Sequence, residues 1–325
     1  MELHKRIGYP CINTELQSTQ NVYTNRHMIK RTFEAQRETL EGVSKLSLAN
    51  VQDLVKIIQW NERKGIKFFR MSSNIFPWMS EYELTDLPDW PMIEKNLQLA
   101  GSLAMKYGQR LTYHPGPFNV LASQSSFVVR KTIKDLNQHS QIMDVMGLPA
   151  TPWAKINIHV NTTQGGKDEA AARFCKAFEK LHPNTKARLV VENDDKPSQY
   201  SVADLYQLIY MKIGVPITFD VHHHKYCSGN MDHDTAARLA VSTWPKDVPA
   251  VFHFASTINH ESLDQMARAH ADWIYEELND YGTGAWIMCE CKAKEKAIIK
   301  YINEGITPSD YEEKYTLINE QEILL

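Results

Sequence analysis

Eight short apolar runs, separated by segments of helical spacing, constrain this chain more than any other feature. The runs lie near 6–12 (RIGYPCI), 66–73 (IKFFRMSS), 110–115 (RLTYHP), 155–160 (KINIHV), 188–193 (RLVVEN), 216–222 (PITFDVH), 250–256 (AVFHFAS) and 284–292 (GAWIMCECK). Segments 49–64, 92–107, 124–146, 168–182, 200–212, 232–242, 261–279 and 293–303 carry helical spacing. In the second of these, Ile93, Leu97, Ala100 and Ala104 make one apolar stripe. Ser201 ahead of Val202, and Asp168-Glu169 in a first turn, mark helix starts. Strict strand–helix alternation demands parallel strands, and eight such units suggest a closed barrel of about 250 residues plus insertions. The expected fold is α/β, a (β/α)8 TIM-type barrel over 1–303, with 304–325 as an appended tail. An open doubly wound sheet is the alternative, but no Gly-rich phosphate loop follows any run, so no nucleotide cofactor is expected.

Polar residues at the ends of these runs point to the chemistry. In Pro216-Ile-Thr-Phe-Asp-Val-His-His-His224, Asp220 and His223 are metal-ligand types three residues apart. A regular strand has a side-chain period of two, so they converge only if the strand ends between them and the chain curls. The same end carries a ligand type on neighbouring strands: His114, His159, Glu192, His253 and Glu290. Buried groups of this kind are costly unless paired or metal-bound, and active sites collect at the carboxyl ends of barrel strands. Seven ligands exceed what one ion takes, about four to six. A bridging carboxylate is therefore expected, with Glu192 in the middle of the order. The inference is a multinuclear divalent-metal cluster at the C-terminal face, suited to holding phosphate oxygens during hydrolysis.

Bulk properties narrow the setting. No apolar run approaches the ~20 residues of a membrane span, and the first residues lack the apolar core of a signal peptide. The five cysteines are scattered, with no C-x-x-C pair, and read as reduced thiols of an intracellular protein. A net charge of −3 does not suit a surface coated for nucleic acid. If the chain binds DNA, it must use a local basic surface or bound cations.

The ordered motifs resemble the ultraviolet-damage endonuclease family, a relative of endonuclease IV-type barrels. They are Arg6-Ile-Gly-Tyr-Pro-Cys-Ile-Asn13 with Thr24-Asn-Arg26, Arg70-Met-Ser-Ser73, His114-Pro-Gly116, Val191-Glu-Asn-Asp-Asp195, Asp220-Val-His-His-His224, His270-Ala-Asp272 and Glu290-Cys-Lys292. The match covers roughly residues 6 to 300. The resemblance implies a barrel that cleaves damaged double-stranded DNA on the 5′ side of photoproducts, leaving 3′-hydroxyl and 5′-phosphate ends. It implies two or three divalent ions, typically Mn2+, held by His114, His159, Glu192, Asp220, His223, His253, His270 and Glu290. Of these, Glu192, His114, Asp220 and Glu290 carry the catalytic expectation. His222 and His224, beside the strand-six pair, read as supporting or core residues. Tyr9 and Asn13 resemble residues that contact a flipped-out lesion, and Pro117 and Phe118 occupy the place of a wedge that enters the duplex.

Three departures from the family pattern stand out. The wedge is usually Gln followed by an aromatic, and here it is Pro117-Phe118. A lysine expected two residues before the strand-seven histidine is Val251, which leaves open whether Glu81 or another acid replaces that ligand. A histidine expected after the Arg-x-Ser-Ser segment is itself Glu81. The competing classes are a metal-dependent sugar isomerase or epimerase on a similar barrel, and a damage-binding protein that has lost a metal.

Overall fold

The computed structural model describes residues 2–309. All eight apolar runs form strands, each inside its expected bounds: β1 Ile7–Cys11, β2 Phe68–Met71, β3 Arg110–Thr112, β4 Ile156–Ile158, β5 Leu189–Glu192, β6 Ile217–Asp220, β7 Val251–Phe254 and β8 Trp286–Cys289. Every pairing is parallel, in the order β3-β2-β1-β8-β7-β6-β5-β4. A parallel bridge between Tyr113 and Ile156 joins the two ends, with Tyr113 N–H donating to Lys155 O at 2.9 Å and Asn157 N–H to Tyr113 O at 3.0 Å. The barrel is thus closed, and among the described residues no edge strand is left for another chain to extend. Strands β3 to β8 are buried on both faces, as a helix-jacketed parallel sheet requires.

The jacket comprises α1 Thr14–Gln20, α2 Lys30–Ala35, α3 Glu41–Arg63, α4 Trp90–Lys106, α5 Ser126–Val145, α6 Lys167–Phe178 and α7 Pro183–Arg188. It continues with α8 Val202–Leu205, a π-helical turn Tyr206–Tyr210, α9 Met211–Ile213, α10 Val221–His224, α11 His233–Ser242 and α12 Glu295–Glu304. The expected stripe on α4 is buried at Ile93, Leu97, Ala100 and Ala104. Each buried aliphatic side chain of Leu or Ile size contributes about 1.5–3 kcal/mol. Ser201 caps α8 through a capping box with Asp204.

One expected helix is absent. Segment 261–279 runs as irregular loop, preceded by a 3-10 turn at Ile258–His260. Its backbone groups are used to bind strand ends: Ala271 N–H donates to Ser256 O, and Lys292 N–H to Ala271 O. The Glu261 carboxylate further collects the N–H groups of Asp272 and Trp273 and the Tyr275 hydroxyl. These long-range bonds hold the segment at the mouth and outweigh its helical spacing. In the expected tail, Thr307 N–H donates to Ile274 O, and residues 310–325 lie outside the described residues.

The amino end of the barrel is plugged by Arg110, fully buried on β3. Its nitrogens donate to the carbonyls of Trp153, Pro249 and Pro152 at 2.8 to 2.9 Å. Its guanidinium lies over the rings of Trp153, Trp244, Trp286 and Phe68. Burial pulls it down to about 9, still charged at neutral pH.

Candidate metal centre at the barrel mouth

The carboxyl ends of the strands deliver the expected ligand types to one place. Glu192 ends β5 and Asp220 ends β6. The chain turns into α10 directly after Asp220, whose Oδ1 caps that helix by accepting His223 N–H at 2.7 Å. This is the curl that brings two residues three apart to one side. His253 lies inside β7, His159 follows β4, Glu290 follows β8 and His114 lies two residues beyond β3.

Glu192 is the hub. Its carboxylate lies 3.1 Å from His114 Nε2, 3.8 Å from His159 Nε2, 3.5 Å from His223 Nδ1 and 3.0 Å from His253 Nδ1. Two sets of ligand atoms are mutually within 4.8 Å: His114, His159 and Glu192, and Glu192, Asp220 and His253. Glu290 reaches the second set through His253 Nδ1 at 3.2 Å, and His270 lies outermost, 3.9 Å from Glu290.

The donor set fits divalent cations. Imidazoles and carboxylates at this spacing are ligands for Zn2+- or Mn2+-type ions. Several of their buried atoms, among them His159 Nδ1, His253 Nδ1 and Asp220 Oδ2, have no aligned hydrogen-bond partner. Buried polar atoms are normally satisfied, so orphans clustered around one carboxylate mark a place built for a ligand. The buried His/Glu/Asp group can bind metal.

The protein groups alone set strong and opposed potentials. Burial pushes the Glu192 carboxyl upward, but His253 and His159 hold it well below its ordinary value. Burial likewise opposes charge on His159, yet Glu192 and Asp194 raise it to about 10. For His253 burial wins and lowers it to about 3. Asp220 is raised to about 6 by burial, partly offset by His223. Glu290, against burial, is held well below the usual range by Arg70, its direct ion-pair partner.

Supporting residues surround these ligands. Asn157 Nδ2 donates to Glu192 Oε2, and Asp194 Oδ1 lies 3.1 Å from His159 Nδ1. Asn193 O is 2.9 Å from His223 Nδ1, which orients the ring and leaves Nε2 for a cation. Lys155, fully buried, places its amine 3.0 Å from His253 Nε2 and 2.9 Å from Asn157 Oδ1. None of Arg70, Lys155, Asn157, Asn193 or Asp194 was singled out from sequence as part of the site. The signal existed on β4, where the period of two from His159 passes through Asn157 and Lys155 and turns all three inward.

Other expectations resolve differently. Tyr9 is fully buried between Asn61 Oδ1 at 2.7 Å and Asn13 Nδ2 at 2.9 Å. Asn13 is 1% exposed and caps α1 by accepting Leu16 N–H. Both side chains are buried in the barrel wall. Pro117 is exposed, and Phe118 is 69% exposed on the loop after β3. His222 and His224 point away from the cluster, to the carbonyls of Arg268 and Met231. Glu81 does not replace a ligand: Arg37, at 3.1 Å, and Lys131 bind its carboxylate on the rim. Val251 packs in the apolar core below His253.

Comparison with known proteins agrees with this geometry. Residues 5–317 match the family described as UV-endonuclease UvdE. The chain is 33% identical over 305 residues to a UV-damage endonuclease of Schizosaccharomyces pombe, an alignment covering 91% of this chain and 50% of that protein. It thus spans about half the length of that relative. A UV DNA damage endonuclease of Clostridium perfringens is 28% identical over 308 residues, covering 92% of this chain and 70% of that one. The crystal structure of SacUVDE superposes with a TM-score of 0.78 at 29% identity, covering 92% of this chain and 96% of the other. A closed parallel barrel, a carboxylate–histidine cluster at its mouth and a family match over nearly the whole chain lead to one conclusion: this chain belongs to the UV-endonuclease family.

Proposed function

We propose that this chain is a divalent-metal-dependent endonuclease that nicks double-stranded DNA on the 5′ side of ultraviolet photoproducts. The observation that carries the reading is Glu192, shared by two ligand sets whose atoms lie within 4.8 Å of one another. His114 and His159 would hold one cation with Glu192, and Asp220 and His253 a second. His223, Glu290 and His270 complete the set for two or three ions, with Mn2+ favoured by mixed imidazole and carboxylate donors. Such cations, when bound, supply charge neutralisation and Lewis acidity at a phosphodiester. The names of the relatives, UV-damage endonucleases, support DNA as the substrate.

The chain's own residues prepare that site. Arg70 holds Glu290 ionised and fixed, and Asn157 orients Glu192. Asn193 orients the His223 ring, and Asp194 sets a carboxylate oxygen 3.1 Å from His159 Nδ1. Phe118 would stack into the duplex at the damage, while Pro117 stiffens the loop that presents it.

Nicking of irradiated supercoiled plasmid, with Mn2+ and with chelator, tests the function. Metal-dependent nicking confined to irradiated DNA is expected, and intact irradiated plasmid at saturating Mn2+ would refute it. Phe118→Ala should lower the affinity ratio of damaged to undamaged duplex roughly tenfold, since stacking contributes about 1–3 kcal/mol per base. An unchanged ratio removes Phe118 from lesion recognition.

A further inference from the structure

A groove of about 370 Å³ lies between α5 and α6, on the outer wall below the loop that carries Phe118. Val129 and Ile133 form part of its apolar floor, and its cations are Arg130, Arg173, Lys176 and Lys180. No Asp or Glu lines it. Among the described residues, none of the four pairs with a carboxylate. Arg130 bonds the Ser126 hydroxyl at 3.2 Å, and Arg173 donates to the carbonyls of Ala122 and Gln164. Of the acids on the same helical face, Glu179 is engaged by Lys186 at 2.7 Å, and Glu169 makes no ion pair with Arg173. Elsewhere on the same two helices, Lys131, Lys134 and Lys167 each meet a carboxylate. Gathering four cations in a groove that no carboxylate lines is unfavourable by mutual repulsion unless a polyanion shares the space.

We propose that this groove is a second DNA-contact site, binding backbone phosphates of the duplex arm that flanks the lesion. The proposal rests on the DNA substrate argued above. Three observations select that occupant. The chain's net charge is −3, so attraction for a polyanion must be local. The groove is continuous with the wedge loop: its lining begins at Leu121, three residues after Phe118, and Arg173 Nε ties that loop down through Ala122 O at 2.8 Å. Arg173 to Lys180 spans about 10 Å of helix, the axial rise of roughly three nucleotides. The groove descends the wall away from the mouth, so the arm reaches it by bending over the rim. Insertion of an aromatic wedge at a damaged step favours such a bend.

The test compares the wild type with an Arg130→Gln/Lys176→Gln/Lys180→Gln variant, which spares the structural Arg173. Two lesion-bearing duplexes are used, one with arms shorter than one helical turn, about 10 base pairs, and one with arms of several turns. On the long duplex the variant should bind more weakly, and its slope of log affinity against log salt should fall by about 2–3, near 0.9 per lost phosphate contact. On the short duplex, affinity should match wild type, as should nicking at saturating DNA. An unchanged salt slope on the long duplex overturns the groove assignment. So does an equal loss on both duplexes, which would indicate general electrostatic attraction. A thermal melt matching wild type excludes misfolding as the cause. If wild-type protein binds the long duplex but never nicks irradiated DNA, the endonuclease reading falls while the salt slope still decides the groove.

Discussion

The two ends of the barrel both bury charge, and they treat it in opposite ways. At the amino end, one guanidinium meets three carbonyl oxygens and four aromatic faces, and every Arg110 nitrogen has an acceptor. At the carboxyl end, carboxylates and imidazoles crowd within 4.8 Å of each other, and several of their atoms have no aligned partner. A buried charge that the protein satisfies fully serves the fold. One left with open lone pairs among like ligands is available for a cation, and the fold bears the cost of holding it so. Between the two ends lies Lys155, whose amine touches a mouth histidine while its stem is in the barrel interior.

The largest effect is expected at the mouth. Glu192→Gln keeps the shape of the hub and removes its charge. Loss of several kcal/mol of cation-based stabilisation corresponds to a fall in nicking of about a thousandfold. The folded state should persist by circular dichroism. Wild-type nicking in Mn2+ by this variant would show that Glu192 is not the shared ligand.

Arg110→Met tests the other end. It strands three buried carbonyls, so stability to urea should fall by on the order of 3 kcal/mol. Metal affinity of the folded fraction should be unaltered. A variant as stable as wild type would mean that the plug is not what holds that end, and weakened metal binding would mean that the ends are coupled.

Lys155→Met probes the boundary. Partners behind metal ligands are typically worth about 10- to 100-fold in metal affinity, and a loss in that range is expected by isothermal titration. Unchanged affinity would return Lys155 to the structural half of the barrel.

The effect that is smallest per step is graded with pH. His159 stays protonated up to about 10, and a cation needs the neutral ring, so binding must expel that proton. Metal affinity should therefore rise as pH increases through neutrality toward 10, by up to about tenfold per unit for one released proton. It should weaken further below about 6, where Asp220 protonates. Calorimetry in buffers of different ionisation enthalpy counts the protons. Zero release at pH 7.5 would remove His159 from the ligand set.

The sequence by itself determined the architecture. Eight apolar runs separated by amphipathic segments admit a closed parallel barrel, because alternation forces right-handed crossovers and burial on both faces. It also marked His114, His159, Glu192, Asp220, His253 and Glu290, because ligand types at apolar strand ends are conspicuous against Val, Ile and Leu. What it could not decide were long-range preferences. Segment 261–279 has helical spacing, yet its backbone is claimed by Ser256 and Lys292 at the strand ends, bonds that periodicity does not encode. Tyr9 is a strand aromatic in the sequence, and its burial between Asn61 and Asn13 is visible only in the tertiary structure. The amine of Lys155 arrives beside His253 from a strand 98 residues away in sequence. Local pattern determines which faces are apolar; which polar groups meet inside is decided by closure of the barrel, which brings residues distant in the chain within hydrogen-bonding distance.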